Sequence, residues 1–165
     1  MLDVAIKYTD KLKIKFADTM FNDKYKYYYN SSYRNEYKPE DSSWNKHEFV
    51  SIYNNDILGY MAYSIKRETY SANSLCIINF TEPNIIFSKD LKKLLTDIFE
   101  KFNFRKLNFG VTVGNPIEAS YDKMIKKYGG RIIGIYKEED KLIDGTYADS
   151  KVYEIFREDY FKSKK

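Results

Sequence analysis

The sequence predicts a mixed α/β (α+β) fold, with a mostly antiparallel central sheet of six to seven strands flanked by about four helices. Two patterns support this prediction. Short runs alternate apolar with polar residues, as strands do, and longer runs repeat apolar residues about every 3.6 positions, as helices do. Read from the N-terminus, the predicted order is helix, hairpin, strand, helix, strand, helix, strand, strand.

The first predicted helix lies in the segment TDKLKIKFADTMF, where Leu12, Phe16 and Met20 are spaced four residues apart. A polar, turn-rich segment follows it and carries six tyrosines between Tyr25 and Tyr37. We interpret that segment as a short helix and a long loop.

Three strands are predicted next. HEFVSIY and ILGYMAYSI alternate in polarity on either side of Asn54–Asp56, which is typical of a hairpin, and SLCIINFTE follows as a third strand. The helix after it has Ser88 as its predicted N-cap. The apolar residues of this helix recur at the helical period: Leu91, Leu94, Leu95, Ile98, Phe99 and Phe102.

The second half of the chain predicts a strand, a helix and two further strands. KLNFGVTV alternates like a half-buried strand. NPIEASYDKMIKKYGG indicates a helix with Pro116 in its first turn and Gly129 at its end. RIIGIY and KVYEIFRE are the final strands, with a turn at Asp144-Gly145 between them. Because no linker or internal repeat is visible, residues 1–165 are predicted to form a single domain.

The composition excludes several classes of protein. Hydrophobic residues make up 43% and charged residues 32% of the chain, which is ordinary for a soluble globular protein. No apolar run approaches the ~20 residues of a membrane span, and the first residues lack the basic-then-apolar order of a signal peptide. We therefore expect a cytoplasmic protein that does not bind a membrane. The abundance of Lys, Ile, Asn and Tyr indicates an AT-rich genome, such as that of a low-GC bacterium or its phage.

Cys76 is the only cysteine and His47 the only histidine. These counts argue against an intrachain disulfide, a thiolate metal cluster and a histidine-rich metal site, so no metal is predicted. The net charge is +4, with lysines spread among 24 acidic residues. That charge pattern argues against a dedicated nucleic-acid binder.

These elements, together with the segment GNPIEASYDKMIKKYGGRIIG, resemble the Gcn5-related N-acetyltransferase (GNAT) superfamily, of which the chain would be a divergent member. The resemblance covers residues 9–160. Family members commonly carry an Asn after the fifth strand and a Lys-x-Gly turn into the sixth, and Asn115, Lys127 and Gly129 fit those places. Gly145–Asp149 is similar to the family's Gly-x-x-x-Asp turn before the last strand.

The resemblance implies acetyl-CoA as the cofactor. In the family its pantetheine lies against the edge of the fourth strand and its pyrophosphate on the loop before the next helix, in a motif Gln/Arg-x-x-Gly-x-Gly/Ala. Measured from Pro83, that motif falls on Ile86–Leu91, where the Gln/Arg and both glycines are replaced. The implied cofactor-binding residues are Phe80, Thr81, Phe87, Ser88, Lys89, Asp90, Leu91 and Asn115.

Two interpretations of this glycine-free stretch stay open. Main-chain amides at a helix N-terminus can bind an anion without glycine, and Lys89 would add a positive charge, whereas Asp90 would repel a pyrophosphate. Alternatively, Lys89 and Asp90 are solvated residues of the first helical turn. Asn115 likewise either contacts the pantetheine or caps the helix that begins at Pro116.

The resemblance also implies the catalytic groups. The chemistry needs a base to accept the amine proton and an acid to protonate the leaving thiolate. Glu82, at the end of the fourth strand, is the implied base, and Tyr121, on the helix after the fifth strand, is the implied acid. The alternatives are a structural carboxylate at a strand end and a packed helix residue with a wet hydroxyl. The tyrosines within residues 25–37 fall where relatives place their acceptor-binding loops.

The predicted function is therefore an acetyl-CoA-dependent N-acetyltransferase that transfers an acetyl group to a primary amine of an unknown small molecule or protein. Because the glycines are missing, the alternative is a catalytically degenerate binding or interaction module on the same fold, for example a phage or host-defence protein. A third hypothesis is an RNA-binding domain that stacks bases on exposed tyrosines. A homodimer is left open.

Overall fold

A computed structural model describes residues 1–20, 22–28 and 44–165. These residues form one seven-stranded sheet. Its strands are β1 (Leu2–Val4), β2 (Lys46–Tyr53), β3 (Asp56–Lys66), β4 (Ser71–Asn79), β5 (Lys106–Thr112), β6 (Arg131–Lys141) and β7 (Tyr147–Phe156). The spatial order is β1-β2-β3-β4-β5-β7-β6, and every neighbouring pair is antiparallel except β4 and β5, which are parallel. The predicted fold class is confirmed.

Helices cover the sheet. In the described residues the α-helices are α1 (Thr9–Ala17), α2 (Ile85–Glu100), α3 (Glu118–Lys127) and α4 (Arg157–Lys162), and short 3-10 helices span Ala5–Tyr8, Asp23–Tyr28 and Arg67–Thr69. β1 and α4 were not predicted, because elements of three and six residues are too short to show a period. The long loop predicted after the second 3-10 helix falls on residues 29–43, outside the described residues. No helix in the described part of the chain is long and apolar enough to cross a membrane.

The sheet separates two apolar layers. On one face, α1 buries Leu12 and Phe16 against Val50 and Tyr60 of the β2–β3 hairpin. Met20, predicted to share this face, lies beyond the end of α1 and is 40% exposed. The other face is covered by α2, α3 and α4. Because neighbouring residues of a strand point to opposite faces of a sheet, the strands contribute side chains to both layers.

The turn between β2 and β3 confirms the predicted hairpin. Asn54 and Asn55 have φ angles of 48° and 64°. A two-residue hairpin of type I′ requires this left-handed conformation at both central positions, and Asn tolerates it better than most residues.

α2 begins earlier than predicted. Its N-cap is Asn84, whose Oδ1 accepts hydrogen bonds from the N–H groups of Ile86 at 2.8 Å and Phe87 at 3.4 Å. Ser88, the predicted cap, lies inside the first turn, where its hydroxyl donates to the Asn84 carbonyl at 3.0 Å. The prediction of Ser88 was wrong because the buried Phe87 extends the apolar face of the helix by one turn.

β4 carries a bulge. The register between β3 and β4 changes from Ala62 opposite Cys76 to Ser64 opposite Asn73, so β4 has one extra residue, and Ser74 has a φ of 54°. A bulge bends its strand and increases the local twist. This one lies next to the point where the pairing between β4 and β5 stops.

Candidate active site

β4 and β5 are separated over most of their length. Their parallel pairing is limited to Ser71 with Lys106 and Ala72 with Leu107, beside the bulge at Ser74. Beyond those pairs a cavity of about 320 Å³ opens between the strands. Its size is in the range of small-molecule sites. Because the two strands do not pair there, their facing main-chain groups can form hydrogen bonds with a ligand.

Segments that are far apart in the sequence line this cavity. Its polar residues include Tyr27 and Tyr28 from the second 3-10 helix, Cys76 from β4, Thr112 from β5, Asn115 before α3, Tyr121 within α3, Asp140 from β6 and Ser150 from β7. Elsewhere, too, no group of three or more acidic, histidine or cysteine side chains in the described residues could hold a metal ion.

Tyr121 presents a buried phenol to the cavity. Its ring lies edge-on to Phe109, with ring centroids 5.3 Å apart, and to Tyr153, at 6.3 Å. Only 8% of Tyr121 is exposed, and burial raises the pKa of its hydroxyl, which therefore stays protonated at neutral pH. The structure brings the implied acid to the cavity, and its catalytic role stays a prediction.

A charged network fixes α3 to β7 beside this phenol. Lys151 Nζ lies 2.9 Å from Oε1 of Glu118 and 2.9 Å from Oδ1 of Asp122. The Tyr153 hydroxyl donates to the same Asp122 oxygen at 2.8 Å. Hydrogen bonds lower the pKa of both carboxyl groups, from Lys151 to Asp122, and from the Gly114 N–H and then Lys151 to Glu118. Both groups are therefore ionised at neutral pH and hold the helix that carries the phenol.

Asn115 lies between the cavity and α3. It lines the cavity, and its Oδ1 accepts a hydrogen bond from the Ile117 N–H at 3.2 Å, ahead of the first residue of α3. Tyr28 lines the same cavity, and burial raises its pKa to about 12. The capping interpretation of Asn115 was wrong, because α3 begins at Glu118 and not at Pro116, and its N-cap is Ile117, with no side-chain cap. The Asn115 side chain instead closes the turn before the helix. Its contact with pantetheine stays a prediction.

Asp140 and Thr112 are functional candidates that the sequence analysis missed. Asp140 Oδ2 accepts a hydrogen bond from Thr112 Oγ1 at 2.7 Å, across 28 positions of the chain. In the sequence, Asp140 is one acidic residue in the run KEEDK. No local signal marks it, because the two residues meet only through β7, which pairs with both β5 and β6.

The residues implied for pyrophosphate binding are not on a loop. Ile86–Leu91 lie in the first two turns of α2, so the mapping of the loop motif onto them was wrong. Asp90 is buried, with its Oδ2 2.7 Å from the Ser51 hydroxyl and 3.1 Å from the amino group of Met1. It is therefore not a solvated residue of the first turn, whereas Lys89 is exposed.

Two main-chain amides at the start of α2 are already bonded. The Asn84 side chain occupies the N–H groups of Ile86 and Phe87. On the loop before them, the Thr81 N–H donates to Asn79 Oδ1 at 3.0 Å, and Pro83 has no N–H. A phosphate group would therefore have to displace the Asn84 side chain to reach this helix N-terminus.

The other residues implied at the end of β4 lie outside the cavity. Glu82 is 88% exposed, and its Oε1 is 3.1 Å from Lys24 Nζ. Phe80 packs edge-on against Phe16 of α1, with 5.5 Å between ring centroids, and the Thr81 hydroxyl bonds within the same loop. The loop therefore belongs to the α1 face of the sheet, whereas the implied acid lies on the α3 face. The structure does not bring the two implied catalytic groups together.

Comparisons with known proteins agree with this architecture. No protein-family model matches the chain, and no curated protein matches it by sequence. The structure is similar to the spermidine N-acetyltransferase of Vibrio cholerae solved in complex with CoA and spermine, with 17% identity and a TM-score of 0.73 over 98% of this chain and 97% of that one. The spermidine/spermine N-acetyltransferase SpeG of Vibrio cholerae, solved with manganese ions, gives 19% identity and a TM-score of 0.71 over 100% of this chain and 96% of that one.

A third similar structure is a chimera of SpeG from Vibrio cholerae and hSSAT. It shares 22% identity and a TM-score of 0.60 over 72% of this chain and 70% of that one. All three neighbours are named as N-acetyltransferases. Their TM-scores show a common fold, and at identities this low the similarity extends to the fold alone. The chain therefore has the fold of the Gcn5-related N-acetyltransferases, as its sequence predicted.

Proposed function

We propose that this protein is an acyltransferase that moves an acetyl group from the thioester of acetyl-CoA to a primary amine. The observation that supports this most strongly is the cleft between β4 and β5. It combines main-chain groups that face no partner strand with the buried phenol of Tyr121 in one cavity. Such a cleft can bind an extended ligand, and the phenol can supply the acid that this chemistry needs.

The cleft suits the pantetheine arm of the cofactor, which carries amide groups. Ser74–Ile77 line the cavity along the part of β4 that has no pairing with β5. Such an edge would hold an extended amide chain as it would hold an added strand. The bound cofactor supplies an acetyl group activated as a thioester.

In the reaction, the neutral amine nitrogen attacks the thioester carbonyl carbon. A C–N bond forms and the C–S bond breaks. Tyr121 donates its phenolic proton to the leaving sulfur, and the proton lost from the nitrogen restores the phenol. Atoms and charges balance without a further reagent.

The cavity affects both groups that exchange this proton. Burial raises the pKa of the Tyr121 hydroxyl and also that of Cys76, a thiol that lines the same cavity. A leaving thiolate there is a stronger base than in water. Because the same burial disfavours a phenolate, the phenol regains the proton of the nitrogen as it gives up its own.

The acceptor is proposed to be an amine-bearing molecule. The similar structures are named as spermidine and spermine acetyltransferases, so polyamines belong in the first set of acceptors to be tested. Tyr27 and Tyr28 line the cavity, and tyrosine rings can contact a bound cation.

The test is release of free CoA from acetyl-CoA in the presence of polyamines, amino acids and lysine peptides. Thermal unfolding with excess acetyl-CoA reports cofactor binding separately. A ligand at 100 times its dissociation constant stabilises a protein by about 2.7 kcal/mol, or roughly 5 to 11 °C for a chain of this size. Absence of both effects in folded protein would overturn the proposal.

A second candidate function is a binding module on the same fold without turnover. The observation that favours it is the start of α2, where Asn84 occupies the amides of Ile86 and Phe87. A thermal shift with acetyl-CoA together with CoA release would remove this candidate. Folded protein that shows neither would support it.

A further inference from the structure

β6 forms one edge of the sheet and is exposed along its length. It pairs with β7 on one side, and no strand in the described residues pairs with its other side. Every residue of β6 except Asp140 is exposed. An edge strand presents a row of main-chain N–H and C=O groups to which another strand can be added. The outer edge of β6 is therefore a template for a further strand.

The centre of β6 is apolar although it is exposed. The exposed fractions of Ile132, Ile133, Ile135 and Tyr136 are 49%, 49%, 59% and 58%. Because Ile135 and Tyr136 are successive residues of a strand, they point to opposite faces of the sheet. Neither a charged residue nor a proline interrupts Ile132–Tyr136, although such residues commonly protect an edge strand. An exposed apolar segment of this kind marks an interaction surface.

The opposite edge of the sheet is built differently. β1 lies there and has three residues, whereas β6 has eleven. A short edge strand offers few main-chain groups to an incoming strand, which is one way in which proteins protect an edge. The contrast favours β6 as the edge that has a partner.

The charges at the two ends of β6 favour a second copy of this chain as that partner. Residues 126–131 carry three basic side chains and no acidic one, whereas residues 137–141 carry three acidic and two basic side chains. Arg131 and Lys106 both bind the Glu154 carboxylate, so positive charge stays in excess at the start of the strand.

A two-fold axis makes these ends complementary. It brings the start of β6 in each copy against the end of β6 in the other, because the two strands then run antiparallel. The basic end of each copy faces the acidic end of its partner, and the apolar segments Ile132–Tyr136 meet between them. A parallel arrangement would place the two basic ends together.

We propose that two copies of this chain associate through β6, which pairs antiparallel with β6 of the second copy and extends the sheet across a two-fold axis. This inference does not depend on the proposed acyl transfer. Pairing between β6 and β7 is regular from Gly134 to Tyr136 and shifts on either side. The contact is therefore centred on these residues, where it removes Ile135 and Tyr136 from water.

The oligomeric state is measured first, by sedimentation velocity of the wild type over micromolar concentrations. Ile135→Lys places a charge at the centre of the contact, and its matched control is Ile14→Lys, the same change at a 65% exposed residue of α1. We expect the wild type and the control to sediment as dimers. The dissociation constant of the dimer should rise about tenfold or more in Ile135→Lys. Thermal unfolding confirms that the variants are folded.

Cross-linking then locates the contact without introducing a charge. Ile135→Cys places a thiol close to the two-fold axis, so a short bismaleimide should link two chains covalently. Ile14→Cys is the matched control, at an equally accessible place on α1. Wild type gives the background from Cys76, whose pKa burial raises to about 12, so it reacts slowly at neutral pH. We expect linked dimers from Ile135→Cys only.

Three results would overturn the proposal. The first is a wild type that sediments as a monomer throughout the concentration range. The second is a dimer that Ile135→Lys leaves intact. The third is a linked dimer from Ile14→Cys but none from Ile135→Cys, which would place the contact on the α1 face.

Discussion

The cavity and the start of α2 are assembled in opposite ways. The cavity takes its side chains from segments far apart in the chain, whereas the start of α2 is one contiguous stretch. The contiguous stretch was assigned to a phosphate loop from the sequence, and the structure shows that it is helical instead. The cleft depends on the topology of the sheet, in which β4 and β5 pair over two residues and then separate. The phosphate loop depends on where one helix begins, and a single cap residue decides that.

The largest expected effect tests the cavity. Tyr121→Phe removes the proton donor and keeps the packed ring, so kcat should fall by about 100-fold or more. The thermal shift with acetyl-CoA should persist, because the ring still fills its place against Phe109. The matched control is Tyr53→Phe, the same change at a 52% exposed tyrosine of β2. Unchanged kcat in Tyr121→Phe would mean that the phenol only packs.

The next effect tests the start of α2. Asn84→Ala removes the cap and should destabilise the protein by about 1 kcal/mol, a fall in Tm of roughly 2 to 4 °C. The same change frees the amides of Ile86 and Phe87. We expect the affinity for CoA to rise in this variant and the affinity for pantetheine, which lacks the diphosphate, to stay the same. A loss of CoA affinity would show that Asn84 itself contacts the cofactor.

A smaller effect concerns the network that holds α3. The pKa values of Asp122 and Glu118 are lowered in the folded protein, from ordinary values of 3.8 and 4.5. Their stabilising contribution is therefore present above those values and is lost as the pH falls through the lowered ones. Lys151→Met should reduce the free energy of unfolding at pH 7 by less than about 1 kcal/mol, since the pairs are partly exposed.

Denaturant unfolding from pH 7 down to pH 3 checks this prediction. Stability of the Lys151→Met variant should fall less steeply in acid than that of wild type. Lys162→Met, which removes an exposed lysine 3.5 Å from Asp159, is the matched control. Parallel curves for the Lys151→Met variant and wild type would contradict a role of the network in acid stability.

The smallest effect concerns the implied base. Glu82 is exposed and lies on the α1 face, away from the cavity. We expect Glu82→Gln to leave kcat and its pH profile unchanged. A fall in kcat comparable to that of Tyr121→Phe would show that the loop moves to the cavity during turnover.

The parts of the fold that the sequence predicted are those with local causes. The hairpin turn at Asn54 and Asn55 and the apolar period of α2 are visible within a few residues. The start of α2 was misplaced because Asn84 and Ser88 are both good caps, and only tertiary burial of Phe87 chooses between them.

The candidate site was predicted less completely. Tyr121 was named because it lies one residue from Asp122, the position that the resemblance, counted from Asn115, implies for the acid. Asp140 was not, because its position depends on an irregular register between β6 and β7. Such shifts leave no trace in a polar run, where every residue has similar hydropathy.

The raised pKa of the Cys76 thiol has a practical consequence. Thiol-specific reagents attack the thiolate, and with a pKa of about 12 this cysteine is almost entirely protonated at the pH of ordinary assays. It is also the only cysteine in the chain. A colorimetric thiol reagent should therefore count free CoA as it accumulates, against a background to which the protein contributes almost nothing. Alkylating agents should leave the protein unmodified at the same pH.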